Sequence, residues 1–189
     1  MGKTYGDQLA DMPDELIIRE YIRRMTNDRA DVDSDGLRDT PARVRRSWKE
    51  LFPAYWDADA ASVLKFFPES GATGTSVEVA GVPVLAVCEH HLLPFQGSAV
   101  VRYTLAGNEA LGLSKVPRLV ELYARRLTTQ ERITNDVLTA LKMTGKFLAV
   151  EVGLTCGHDC MACRGAKADA ETKTLKSWHK ARDILGGVG

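Results

Sequence analysis

Ser76-Val-Glu-Val-Ala-Gly-Val-Pro-Val-Leu-Ala-Val-Cys88 and Ser98-Ala-Val-Val-Arg-Tyr-Thr-Leu105 decide the fold. The first run is rich in Val and nearly alternating. The second sets Ala99, Val101, Tyr103 and Leu105 against Val100, Arg102 and Thr104. A period of two is the mark of a strand with one buried face. Downstream the period lengthens. Ser114 opens a helix with Val116, Leu119, Val120, Tyr123 and Leu127 on its apolar face, and Thr128 opens another with Ile133, Val137, Leu138 and Leu141. Alternation returns at Leu148, Val150, Val152 and Leu154, and a last extended segment is expected after Arg164. The order strand–strand–helix–helix–strand–strand predicts an α+β protein, with an antiparallel sheet covered by helices on one face.

Upstream the pattern is helical. Ile17, Ile18, Tyr21, Ile22 and Met25 predict a helix over 13–26. Thr40-Pro41 reads as a helix start, with Thr40 as N-cap and Pro41 at the first helical position. Val44, Trp48, Leu51 and Phe52 then mark one face of a helix from 41 to about 52. The expected organisation is an N-terminal helical region, 1–70, and a sheet-bearing domain, 71–189, working as one unit. No large regulatory extension is expected at the N-terminus.

Composition narrows the class. The chain has 189 residues, 44% hydrophobic and 26% charged, with 25 Lys plus Arg against 25 Asp plus Glu. Such a chain reads as a soluble globular protein. Without a basic excess, neither nucleic acid nor a membrane surface is expected as a partner. No run is long enough to cross a bilayer, and no signal peptide is evident. Asp31-x-Asp33-x-Asp35-Gly36 starts like a calcium loop, but Ala42 stands where the closing Glu belongs, so it reads as a turn.

Chemistry concentrates in two windows. All 4 cysteines and three of the 4 histidines lie in 88–91 and 156–163. Clustered thiols of this kind suit metal binding in a reducing compartment, so the cytoplasm is expected. A thiolate and imidazole set selects zinc first. Cys88-x-x-His91 lets two side chains of one turn reach one ion, and Cys160 could supply a third ligand. Cys160-x-x-Cys163 with Cys88-x-x-His91 would instead make a four-ligand structural site. On spacing alone the two stand even. The surplus imidazoles, His90 and His158, tip the balance toward catalysis, because imidazole titrates near neutrality.

Cys88-Glu-His-His-Leu-Leu-Pro-Phe95 resembles the signature of the GTP cyclohydrolase I family. Gly112-Leu-Ser-Lys-x-x-Arg118, Arg125-Arg-Leu-x-x-Gln-Glu-Arg-x-Thr134, His158-x-Cys-Met-x-x-Arg-Gly165 and Gly36-Leu-x-x-Thr-Pro-x-Arg-Val44 with Trp48 extend the likeness, collinear over roughly 13–175. The resemblance implies a tunnelling fold, an antiparallel four-stranded sheet with two helices. It implies a homo-oligomer, usually a decamer, with active sites between subunits. It implies hydrolysis of GTP to 7,8-dihydroneopterin triphosphate and formate, a product that feeds folate, tetrahydrobiopterin and deazapurine synthesis alike. Zinc would be held by Cys88, His91 and Cys160, with Cys163 outside the site. Water on the zinc would attack purine C8, His158 would protonate the adjacent nitrogen, and His90 would help proton transfer near the ribose. No organic cofactor is implied.

Substrate contacts follow by the same resemblance. Arg43, Arg46, Lys115, Arg118 and Arg164 align with triphosphate-binding positions, where guanidinium forks suit phosphate oxygens. The family usually has Lys at the position of Arg46. Glu131 would accept the guanine N1–H and 2-amino protons, with Gln130 beside it. Ser114 aligns with a residue near the ribose. The bare residues allow blander roles: Thr128-x-x-Glu131 has the form of a capping box, and Ser114 that of an N-cap. The chain departs from the family at Val100–Leu105, at Ala166 and in the Thr-rich stretch 171–176. Two other readings stand beside the first. A related tunnelling-fold enzyme would take a modified or differently phosphorylated guanine nucleotide, which the retained triphosphate-binding cations argue against. A zinc-stabilised binding protein would use Cys163 as a fourth ligand, and would have no need of His90, His158, Glu131 and Lys115 together.

Overall fold

The valine-rich run 76–88 forms one long strand, but its buried side changes parity on the way. The computed structural model describes residues 12–55 and 59–180. Two compact units divide after Phe52. The first carries α1, Asp14–Met25, and α2, Thr40–Leu51. α2 begins at Thr40 itself, after Asp39, and no side chain caps it. The Thr40 hydroxyl donates back to the Gly36 carbonyl at 3.3 Å, so it is not the N-cap that the sequence suggested.

The second unit carries α3 (Ala60–Val63), β1 (Phe66–Pro68), β2 (Ser76–Cys88), β3 (Pro94–Leu105) and β4 (Glu109–Leu111). It continues with α4 (Lys115–Ala124), β5 (Leu127–Thr128) and α5 (Gln130–Met143). β6 (Phe147–His158), α6 (Asp159–Ala162) and β7 (Glu171–His179) complete it. The main sheet has the order β5-β2-β3-β6-β7. Its four long strands pair antiparallel, and the two-residue β5 adds to β2 in parallel. The four-stranded antiparallel sheet of the sequence reading is therefore present, with a short fifth strand on one edge. β1 and β4 form a separate pair.

The parity change in β2 has a local cause. Val77 and Val79 are half-buried, whereas Val82, Val84, Ala86 and Cys88 are buried. Between Val79 and Val82 the register against β3 shifts, and Gly81 takes a φ of 69°. One extra residue at a bulge flips the inward set from odd to even numbers. β3 buries its odd positions Phe95, Ala99, Val101, Tyr103 and Leu105; β6 buries Val150, Val152, Leu154 and Cys156. α4 and α5 cover that face with Val116, Leu119, Val120, Ile133, Val137 and Leu141, all with no exposed surface. Each such side chain contributes about 1.5–3 kcal/mol by leaving water. The opposite face is polar, with Arg102 ion-paired to Glu78 and Glu151 on its two neighbouring strands.

Candidate active site at one end of the sheet

Three strand ends meet at the same edge of the buried face. β2 ends on Cys88, β3 starts at Pro94, and β6 ends on His158, which pairs with Phe95. The inward parity that buries Phe95 and Cys156 thus aims His158 at the same end. Phe95 and His158 stack, with ring centroids 4.7 Å apart and planes 9° from parallel.

The turn after β2 carries the next group. Leu92 N–H donates to the Cys88 carbonyl at 2.8 Å, and Cys88 N–H donates to the Leu93 carbonyl at 2.9 Å. Leu92 takes a left-handed φ of 55°, which closes the turn tightly enough to return the chain into β3. Glu89 N–H donates to the Thr128 carbonyl at 3.1 Å. The Arg132 guanidinium grips the Glu89 carboxylate with two nitrogens, one of them at 2.9 Å. That fork fastens the turn to α5. Neither Glu89 nor Arg132 was singled out as a functional residue from sequence; both lie inside quoted motif blocks, but their pairing across 43 positions has no local signal.

Cys88, His91 and Cys160 converge, with their ligand atoms all within 4.8 Å of one another. Cys88 is buried, His91 lies in the turn, and Cys160 comes from α6. Burial, and then the neighbouring Cys88 thiol, push the Cys160 pKa up. Two thiols facing each other resist ionising together, and a cation between them reverses that preference. Cys163 is exposed and outside this group. Arg164 is near enough to Cys160 to favour its thiolate.

A cleft of about 260 Å³ opens beside these residues, lined by Cys88, His90, Glu131, His158, Cys160 and Met161, among others. His90 is exposed, its Nε2 3.9 Å from the Glu89 carboxylate. Glu131 lies in the first turn of α5, where the expected capping box is absent. Thr128 is buried in β5, paired with Cys88, and its hydroxyl donates to the Thr129 carbonyl at 3.4 Å instead of capping a helix N–H. Thr129 is the N-cap instead, its side chain accepting from Arg132 N–H at 3.2 Å. Three residues after Thr129 comes Arg132, which leaves the Glu131 carboxylate out of capping. Gln130 is 1% exposed and its carboxamide is engaged by the protein.

Ser114, Lys115 and Arg118 lie elsewhere in the second unit. Ser114 and Lys115 open α4, just after β4, and no side-chain cap bond forms at Ser114. β4 pairs with β1, and Phe66 of β1 packs on Phe147 at the start of β6, centroids 5.9 Å apart. His158 is at the other end of that strand of 12 residues, about 36 Å away. Arg118 follows Lys115 one turn along α4. Arg43 and Arg46 lie on α2 in the first unit, where Arg43 donates to the Gly36 carbonyl at 2.9 Å and to the Thr40 hydroxyl at 2.7 Å.

The same chain features recur in known proteins. A family model described as GTP cyclohydrolase I matches residues 17–182. "GTP cyclohydrolase 1" of Janthinobacterium sp. (strain Marseille) is 40% identical over 177 residues, 92% of this chain and 88% of that protein. The proteins of that name from Bifidobacterium longum (strain NCC 2705) and Nitrosospira multiformis are each 40% identical, over 163 and 162 residues. Each comparison covers 85% of this chain, and 81% and 84% of the relative respectively. With the match spanning both helical and sheet-bearing parts, the chain belongs to the GTP cyclohydrolase I family of enzymes.

Proposed function

We propose that this protein is a zinc-dependent GTP cyclohydrolase I that hydrolyses GTP to 7,8-dihydroneopterin triphosphate and formate. The observation that carries the reading is the meeting of Cys88, His91 and Cys160, with ligand atoms within 4.8 Å, at a cleft that Cys88, Cys160 and His158 line. Two thiols and one imidazole would hold zinc through three protein ligands, the number that catalytic zinc sites use. Bound there, zinc would supply Lewis acidity for hydrolysis at purine C8.

The protein's own residues do the rest. Glu131 accepts N1–H and the 2-amino protons of guanine as a bidentate acceptor. Its freedom from capping supports that role. His158 delivers a proton to the purine nitrogen beside C8, and His90 moves one near the ribose, which opens and recyclises onto the freed amines. Arg164 contributes positive charge close to Cys160. Ser114, Lys115 and Arg118, with Arg43 and Arg46, complete the ribose and triphosphate contacts.

The position of Ser114 and Lys115 supports a homo-oligomer with shared sites, a decamer in the reading favoured here. They stand at the opposite end of β6 from His158, so one chain does not gather both around one nucleotide. A cleft of about 260 Å³ is also small beside the ~300–1,000 Å³ of most ligand sites. No helix among the described residues is long and apolar enough to cross a membrane. All four cysteines are free, which supports the reducing cytoplasm as its compartment.

The test is His158→Ala. Zinc content should stay stoichiometric while GTP turnover is lost. Loss of zinc with the imidazole would mean that His158 is a ligand and that its proton-transfer role is misassigned.

A further inference from the structure

Gln130 is the least exposed polar side chain near the cleft, and its hydrogen bonds admit one assignment of protons. Its Nε2 lies 3.0 Å from the Leu154 carbonyl and 2.9 Å from the Thr172 carbonyl. Both partners only accept, so that atom must be the NH2. The reverse orientation would set a carbonyl oxygen against two others in a buried site. The neighbouring hydroxyls agree. Thr134 donates to the Gln130 backbone carbonyl at 2.9 Å, so in the Thr134–Thr174 pair at 2.7 Å the proton comes from Thr174. The Thr174 oxygen is left to accept from Gln130 Nε2, at 3.3 Å.

With the amide fixed, Gln130 Oε1 is the atom that meets His158 Nε2, at 2.8 Å. A carboxamide oxygen only accepts, so Nε2 must carry a hydrogen. Phe95, stacked on the imidazole, fixes the plane of the ring. We propose that Gln130 is a positioning residue that holds the Nε2–H of His158 and leaves Nδ1 as the one ring nitrogen available to substrate. Nδ1 takes a proton from solvent, and the imidazolium passes that proton to the purine nitrogen, returning to the neutral Nε2–H tautomer. The inference rests on the reading of His158 as the group that transfers a proton. It moves Gln130 from guanine binding to orientation of the imidazole.

The experiment uses zinc-loaded protein labelled with ¹⁵N-histidine, the His158 signals being assigned by their loss in His158→Asn. Long-range proton–nitrogen spectra separate the two tautomers. The wild-type protein should show His158 protonated at Nε2, and a ring protonated at Nδ1 alone would overturn the proposal. Gln130→Met keeps the length and bulk of the side chain without its hydrogen bonds. It should retain zinc, lose the fixed tautomer and lower kcat about 10- to 100-fold with little change in KM, as loss of an orienting partner does. A tautomer unchanged in Gln130→Met, or a rise in KM with kcat intact, would also overturn it. Thr174→Val removes only the weakest acceptor, so it should leave the tautomer as it is. Should Gln130→Met fail to fold, the wild-type spectrum decides alone. Full turnover in His158→Asn would instead sink the catalytic reading of His158 and leave the tautomer assignment standing.

Discussion

Cys156 and Cys163 lie on either side of Cys160 and meet opposite surroundings. Cys156 is 1% exposed in β6, and burial, helped by Glu171, raises its pKa from 9.0 to about 11. Cys163 is exposed. A neutral thiol is the favoured form inside, so between those two pH values the folded state holds more protons than the unfolded one. Stability from this group is therefore present below pH 9 and declines up to about 11, by about 3 kcal/mol in all. In Cys156→Ala that part of the decline should vanish from the pH dependence of unfolding; an unchanged slope would show the thiol titrating normally. Cys163→Ser should keep both zinc and activity, and loss of zinc would restore the four-ligand site. The spacing Cys88-x-x-His91 suggested two side chains of one turn reaching one point, and the structure brings both together with Cys160. The part of Gln130 was not, because it depends on carbonyls from β6 and β7, at positions 154 and 172.

The elements position the site by how they end. The arrangement of an antiparallel sheet with helices on one face was legible in the alternation of β3 and in the helical spacing after Ser114. The bulge at Gly81, the parallel β5 and the β1–β4 pair were not, since each is fixed by pairing between distant strands. The capping residue of α5 was displaced by one for the same reason: Thr128 is held extended against Cys88. Thr129→Ala should cost about 1 kcal/mol in thermal unfolding, whereas Thr129→Ser should cost little. Gly97 allows β3 and β6 to approach closely. A Cβ there would lie 1.9 Å from the Thr155 carbonyl oxygen, an overlap that backbone must move to relieve. Gly97→Ala should lower stability by about 3 kcal/mol or more. The Arg132–Glu89 fork ties the turn bearing His91 to α5, so Arg132→Ala should weaken zinc binding roughly 10-fold or more in a competition titration. Unchanged affinity would mean that the turn holds its shape without α5.

At the scale of the molecule, the fold separates residues that the proposed reading assigns to one nucleotide. Cys88, His91, Cys160 and His158 sit at one end of the sheet, Ser114 and Lys115 at the other. If sites are shared between copies, His158→Ala and Lys115→Ala, each inactive, should regain activity when co-expressed in one assembly. At random mixing about one quarter of sites would then draw both native residues from different chains. No regain would place both residues in the same chain's site. The most direct measurement of the central claim is turnover of GTP carrying ¹³C at C8 by the zinc-loaded protein. The account predicts labelled formate and a pterin triphosphate in equal amounts, with both lost on chelation of zinc and restored on its return. Intact GTP in the presence of bound zinc, or turnover that persists without zinc, would contradict it.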